Sequence, residues 1–448
     1  RPEVNVTVHP PAPPAAPPAP AAPRPPVSAI TPGCALPARR GDSFYGINTF
    51  IQENCNINTI AWQLDRTREL MGYHALAKQF FYGITNNTGG PDSCWRDYVN
   101  SAYDRGLNVL VRLQGPHDGS NWVKPQADWA GNYSSAAQAF RRVVDGLPRR
   151  NGFTLYVQIW NEPNLNLEWS GSANAAEYAP FLEQTAAAIR SIGDSRIRIV
   201  NGPLSPGGNI SPLTFINQMF NAAPNARWAF DVWGAHPYPS NHPPEYNLHR
   251  GTASQPQAAI DSYLRELNAL ASWGRRDVDV ILSETGYQLG DGTFTWEGYP
   301  IINETNRADY ITRAFRDYWQ GWAEVQAVAP FELSDASGGW AVWDWIAANG
   351  ATHAQYNSVR ALDKTSPYAS ASLVISFQAN AASSGGTCYN DVSAVSSNTT
   401  IPPHNQVAPV TVRQATPTRT PTAAPTSTPT RTPSATPTPI ATATPTAT

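Results

Sequence analysis

The chain has 448 residues and a net charge of -3, and it lacks basic blocks, which argues against a nucleic-acid partner. No run of 18 apolar residues occurs, so no membrane span is expected. Of its 42 prolines, 13 lie in residues 1–37 and 11 in residues 401–448. These ends have few apolar side chains to bury and read as extended, disordered linkers, Pro/Ala-rich over 1–40 and Thr/Pro-rich over 396–448. One domain over 41–395 remains, long enough for a single large core.

Within it, residues 43–50 (SFYGINTF) read as a first strand, followed by a helical pattern over 59–72. Residues 75–82 form a second strand and 95–106 a helix; 107–113 (LNVLVRL) form a third strand, with a helix over 134–147. The fourth strand, 153–160, is rich in aromatic and β-branched residues and runs into Asn161, Glu162 and Pro163. A helix over 173–192 leads to strand five, 197–201, and a helix over 212–223 leads to strand six, 228–235. Residues 258–274 read as a helix, 278–283 as strand seven, 307–324 as a helix, 325–333 as strand eight and 366–379 as a last helix. Eight strand-then-helix units predict an α/β fold, a (β/α)8 TIM barrel, and the apolar strands suit a parallel sheet covered by helices. A doubly wound open sheet would want a glycine-rich phosphate turn after strand one, which is absent.

Three strand ends carry candidate chemistry: Asn161 and Glu162 after strand four, His236 and Tyr238 in WGAHPYP after strand six, and Glu284 in ILSETGY after strand seven. Strands four and seven face each other across a barrel mouth, so Glu162 and Glu284 would share one cleft. Taken singly, each glutamate could instead cap a helix or anchor a loop. Glu168, Glu297, Glu332 and Asp335 are rival carboxylates, Glu332 foremost because it too lies at a strand end.

This pattern resembles the retaining glycoside hydrolases of clan A, whose fourth barrel strand ends in Asn-Glu-Pro. The His-x-Tyr after strand six resembles family 5, and QIWNEPN is also similar to family 39. The resemblance implies Glu162 as acid/base, Glu284 as nucleophile, and Tyr238 as hydrogen-bonded to Glu284 and keeping its pKa low. It implies that Asn161 bonds the sugar 2-hydroxyl and that His236 lines the sugar subsite. Glu162 would start protonated, its pKa raised by the Glu284 anion. Family 5 usually has an arginine near the end of strand two, where this chain offers Lys78 with Gln79, and the clan's strand-eight tryptophan has no clear counterpart beside Phe331-Glu332-Leu333.

Aromatic residues gather on the predicted mouth loops, namely Trp122, Trp129, Trp169, Trp296, Tyr299, Trp340, Trp343 and Trp345, and such rings stack on sugars or simply pack. His117 on the third loop is a further substrate contact, alongside Trp343. On the barrel layout Cys55 and Cys94 fall on neighbouring loops and Cys34 and Cys388 flank the closure, which predicts those two disulfides. No cofactor and no catalytic metal are expected. The expected protein is a secreted or cell-surface monomer acting on a carbohydrate. Its linkers, its low lysine use and a start at Arg1, which suggests a lost signal peptide, fit that setting. Asn5, Asn86, Asn132, Asn209, Asn303 and Asn398 begin N-x-Ser/Thr triplets. A carbohydrate-binding barrel without turnover and a transglycosylase are the alternatives.

Overall fold

A computed structural model describes residues 44–51, 55, 57–246, 257–335 and 337–364, with the backbone of 388–391 and 407–410. The chain divides into two compact units. In the unit of Gly33–Phe377, strand and helix alternate from end to end. The order is β1 (Gly46–Asn48), α1 (Ile57–Met71), β2 (Leu76–Phe81), α2 (Ser93–Asp104), β3 (Asn108–Leu113), α3 (Ser134–Gly146), β4 (Leu155–Ile159) and α4 (Ala175–Arg190). There follow β5 (Ile197–Val200), α5 (Pro212–Ala222), β6 (Trp233–Ala235), α6 (Tyr263–Ser272), β7 (Val280–Leu282), α7 (Glu304–Arg313), β8 (Val325–Val328) and α8 (Ala354–Arg360).

Strands β1 to β5 pair in parallel in that order, and so do β6 to β8. Parallel bridges join Val200 to Val232 and Tyr45 to Val328, which closes the two sheets into one barrel. Leu76, Leu110, Tyr156, Val200, Val232, Ile281 and Ala327 form a separate buried cluster drawn from six strands and from Val232 just ahead of β6, the apolar layer inside the barrel. Helices pack the other strand faces into the main core. Local chemistry starts several of them: Asp92 accepts from Cys94 N ahead of α2, Ser211 and Pro212 open α5, and Asn303 with Asn306 forms a capping box on α7.

The expected elements differ from the observed ones in several places. Strand six begins at Trp233, because Pro224–Trp228 form a 3-10 turn and the Asp231 carboxylate accepts from the Ile199 amide. Strand eight ends at Val328, two residues before Pro330, where the chain turns away. The helix expected over 258–274 is shorter, and the one over 307–324 starts earlier and passes through a π turn at Ala314–Tyr318. Helix α8 was not anticipated, and the helix expected over 366–379 lies outside the described residues.

Cys55 and Cys94 form the expected disulfide, with Cα atoms 6.0 Å apart, tying the loop after β1 to the first turn of α2. Cys34 lies outside the described residues, as do 1–40 and most of 396–448. In the second unit, β9 (Cys388–Asp391) pairs antiparallel with β10 (Val407–Val410), which falls within the stretch read as linker. Among the described residues no helix is long and apolar enough to cross a membrane.

Candidate active site

Side chains two apart on a strand share a face. Leu76 and Leu110 belong to the inner apolar layer, so Lys78 on β2 and Arg112 on β3 point into the barrel one layer nearer the C-terminal mouth. By the same count Val232 and Gly234 lead to His236 past the end of β6. The barrel thus gathers charged groups from β2, β3, β4, β6 and β7 at one end.

Glu162 is aimed by strained backbone. Trp160 has φ +77 and Glu162 φ +34, a region that bulky residues rarely adopt. The surroundings hold Trp160 in that conformation. Its indole N–H donates to the Glu168 carbonyl at 2.7 Å, its amide donates to the Leu113 carbonyl at 3.0 Å, and its ring packs edge-on against Trp169 at 5.2 Å. Trp169 is fully buried and belongs to this core, which corrects its expected place on the mouth.

Glu284 follows β7 and is 7 % exposed. Lys78 Nζ donates to its Oε1 at 2.7 Å, Arg112 lies 4.0 Å from the same oxygen, and the Tyr238 hydroxyl donates to Oε2 at 3.1 Å. Burial would raise the Glu284 pKa, but His236, Lys78 and Arg112 outweigh it and hold the carboxyl down at about 2. Burial, then the Glu284 charge, pushes the Tyr238 hydroxyl well above the usual tyrosine range, so it stays a donor. Burial pulls the Lys78 amine down to about 8 although Glu284 opposes it.

His236 bridges the two glutamates. Its Nδ1 lies 2.8 Å from Glu162 Oε1 and 3.7 Å from Glu284 Oε2. Its side chain has no exposed surface, so it backs Glu162 and presents no face to a sugar. One donor atom each of Glu162, His236 and Glu284 lie within 4.8 Å of one another, a spacing that could also suit a cation. Lys78 and Arg112 already supply the positive charge that an ion would bring to Glu284.

Asn161 is buried, and its amide donates to Glu168 Oε1 at 3.1 Å. Trp343 packs edge-on against Tyr238 at 5.2 Å, and Phe331 bridges Trp343 to the half-exposed Trp340. His117 is exposed on the loop after β3, against Trp122, which in turn packs on Phe80 and Tyr82. Trp129 and Trp296 are 68 % and 78 % exposed, whereas Trp345 is buried in the core. Among the rival carboxylates, Asp335 accepts from Ser337 and the Trp340 amide and so anchors its loop, and Glu297 lies 3.4 Å from His242. Glu332 is fully buried with neither oxygen partnered, and burial, then Asp335, Asp344 and Glu284, pushes it up to about 10.

Arg112 and Gln114 belong to the site in the structure but are not among the residues that the sequence motifs point to. Arg112 is the one charge in the apolar run LNVLVRL, and an unexplained charge in a buried strand is the signal that could have found it.

Neither a known family nor a curated protein matches the sequence. Solved structures do resemble the fold. A family 39 glycoside hydrolase from Bacteroides cellulosilyticus is similar with a TM-score of 0.51 and 15 % identity, over 72 % of this chain and 64 % of that one. A glucosidase from Croceicoccus marinus has a TM-score of 0.49 and 12 % identity, over 71 % of this chain and 66 % of that one. A family 5 subfamily 18 protein from Streptomyces cattleya has a TM-score of 0.49 and 13 % identity, over 72 % of this chain and 80 % of that one. The chain therefore spans just under two thirds of the first two relatives. At these identities the likeness is one of fold: the chain is a (β/α)8 barrel, similar in fold to the family 39 glycoside hydrolase.

Proposed function

We propose that this protein is a secreted, retaining glycoside hydrolase that cleaves β-glycosidic bonds of a polysaccharide or oligosaccharide. The observation that carries the reading is the pair Glu162 and Glu284, with carboxylate oxygens within 4.8 Å. Retaining enzymes hold their two carboxyl groups about 5–5.5 Å apart, whereas inverting enzymes need about 6.5–9.5 Å to admit a water. Glu284, kept ionised by Lys78, Arg112 and Tyr238, attacks the anomeric carbon while Glu162 gives its proton to the leaving oxygen. The sugar is then an ester on Glu284. Glu162, now ionised, takes a proton from water, the water oxygen bonds to the anomeric carbon, and the ester bond breaks to restore Glu284.

His236 steadies Glu162, and Asn161 offers its amide to the 2-hydroxyl. Trp343, Trp340 and the His117–Trp122 pair offer aromatic faces to neighbouring sugars. The disulfide between Cys55 and Cys94 supports an oxidising, extracytoplasmic setting.

The test is release of reducing ends from β-glucans, mannans, xylans and galactans by wild type, Glu162→Ala and Glu284→Ala. One class is expected to be cut, and both variants should lose it by several orders of magnitude. Binding without cleavage by the wild type, or an active Glu284→Ala, contradicts the reading.

A further inference from the structure

Beside the two glutamates lies a third carboxylate with an elaborate set of partners. Glu168, on the connection after β4, is 7 % exposed. Its Oε1 accepts from Asn161 Nδ2 at 3.1 Å and lies 3.6 Å from Arg112 Nη2, and its Oε2 accepts from Gln114 Nε2. Gln114 also accepts from Arg112 Nε at 2.8 Å, and the guanidinium lies over the Phe80 ring at 4.1 Å from its centre. Arg112 is therefore a plate clamped between Glu168 on one side and Glu284, 4.0 Å away, on the other. All the named side-chain partners of the Glu168 carboxylate are donors, so the web is built for its ionised form.

We propose that Glu168 is a positioning residue, the anion that keeps Arg112 and the Asn161 amide in place while Glu284 is esterified. The inference rests on the reading above. Once the sugar is bonded to Glu284 that carboxyl carries no charge, and the buried Arg112, with 12 % of its side chain exposed, has Glu168 as its remaining carboxylate partner. The same oxygen of Glu168 that faces Arg112 receives the Asn161 amide, so losing the anion loosens both groups just when water must attack. Burial pushes Glu168 up to about 7, with Arg112 on β3 opposing and Glu162 after β4 adding to the rise.

The experiment compares wild type with Glu168→Gln and Glu168→Asp in the full chain, on an aryl glycoside of the sugar that the polysaccharide panel identifies. Gln keeps the size but turns one oxygen into a donor facing donors. We expect kcat of Glu168→Gln to fall about tenfold or more. KM should fall with it and a burst of aryl alcohol appear, because the second step is the one slowed. The wild-type limb, in which kcat declines as pH drops through about 7, should be lost in this variant, and Glu168→Asp should recover part of the rate. Unchanged kcat and pH profile, with only a lower Tm, would make Glu168 a structural residue and overturn the proposal. Should Glu168→Gln fail to fold, Glu168→Ala, which also removes the anion, takes its place: a slowed second step supports the role, and an unaltered one removes it. A wild type that releases nothing overturns the glycosidase reading and this one together, whereas an active wild type with unaltered variants overturns only this one.

Discussion

Lys78 stands where the resemblance to family 5 leads one to expect an arginine, and the difference has a chemical consequence. It is 2 % exposed, donates to Glu284 Oε1 at 2.7 Å and to the Ser283 carbonyl at 3.0 Å, and its amine is pulled down to about 8 by burial. As pH rises through about 8 the amine loses its proton, the ion pair with Glu284 disappears, and kcat/KM should fall. A guanidinium stays charged throughout this range. The expected outcome is that Lys78→Arg, where it folds, moves the alkaline limb of kcat/KM to higher pH and Lys78→Met abolishes most activity. An alkaline limb at the same pH in Lys78→Arg would show that another group sets it. Arg112 does not replace Lys78, since it lies 4.0 Å from Glu284 and shares its charge with Glu168.

At the scale of elements, the disulfide between Cys55 and Cys94 joins residues 39 apart and ties the β1 loop to α2. Closing a loop of that size limits the unfolded chain and is worth about 2–4 kcal/mol. Replacing both cysteines by serine should lower Tm by several degrees in thermal unfolding, and an unchanged Tm would place the tie outside the stabilising contacts. The strand-and-helix order was readable from apolar runs and turn residues, and β2 to β5 fall within a residue or two of their expected bounds. An apolar run alone does not separate a strand from an apolar turn. That is why the sequence pattern extends strand six back to Trp228, whereas Trp228 is half-exposed, with the Arg275 guanidinium 4.9 Å from its ring centre. Likewise Trp169 and Trp345 carry no mark that distinguishes core from mouth, because their burial depends on residues distant in sequence. The paired glutamates were legible as strand ends, but the positive φ of Trp160 and the clamp of Gln114 on Arg112 and Glu168 arise only from three-dimensional packing.

For the molecule as a whole, barrel closure converts strand order into chemistry. The bridges from Val200 to Val232 and from Tyr45 to Val328 bring the ends of β4 and β7 around one axis, and without them Glu162 and Glu284 would have no reason to meet. The Asn48 amide at the closure supports this arrangement, donating to the carbonyls of Ser283 at 3.0 Å and Ala329 at 2.8 Å, so the residue before the proposed nucleophile is held by β1. The spacing of the two carboxylates fixes the stereochemical outcome of the proposed reaction. The most direct measurement is therefore proton NMR of the first product formed from the polysaccharide that the panel identifies, recorded before mutarotation. The β anomer should appear first, with retained configuration; first appearance of the α anomer would contradict double displacement through Glu284.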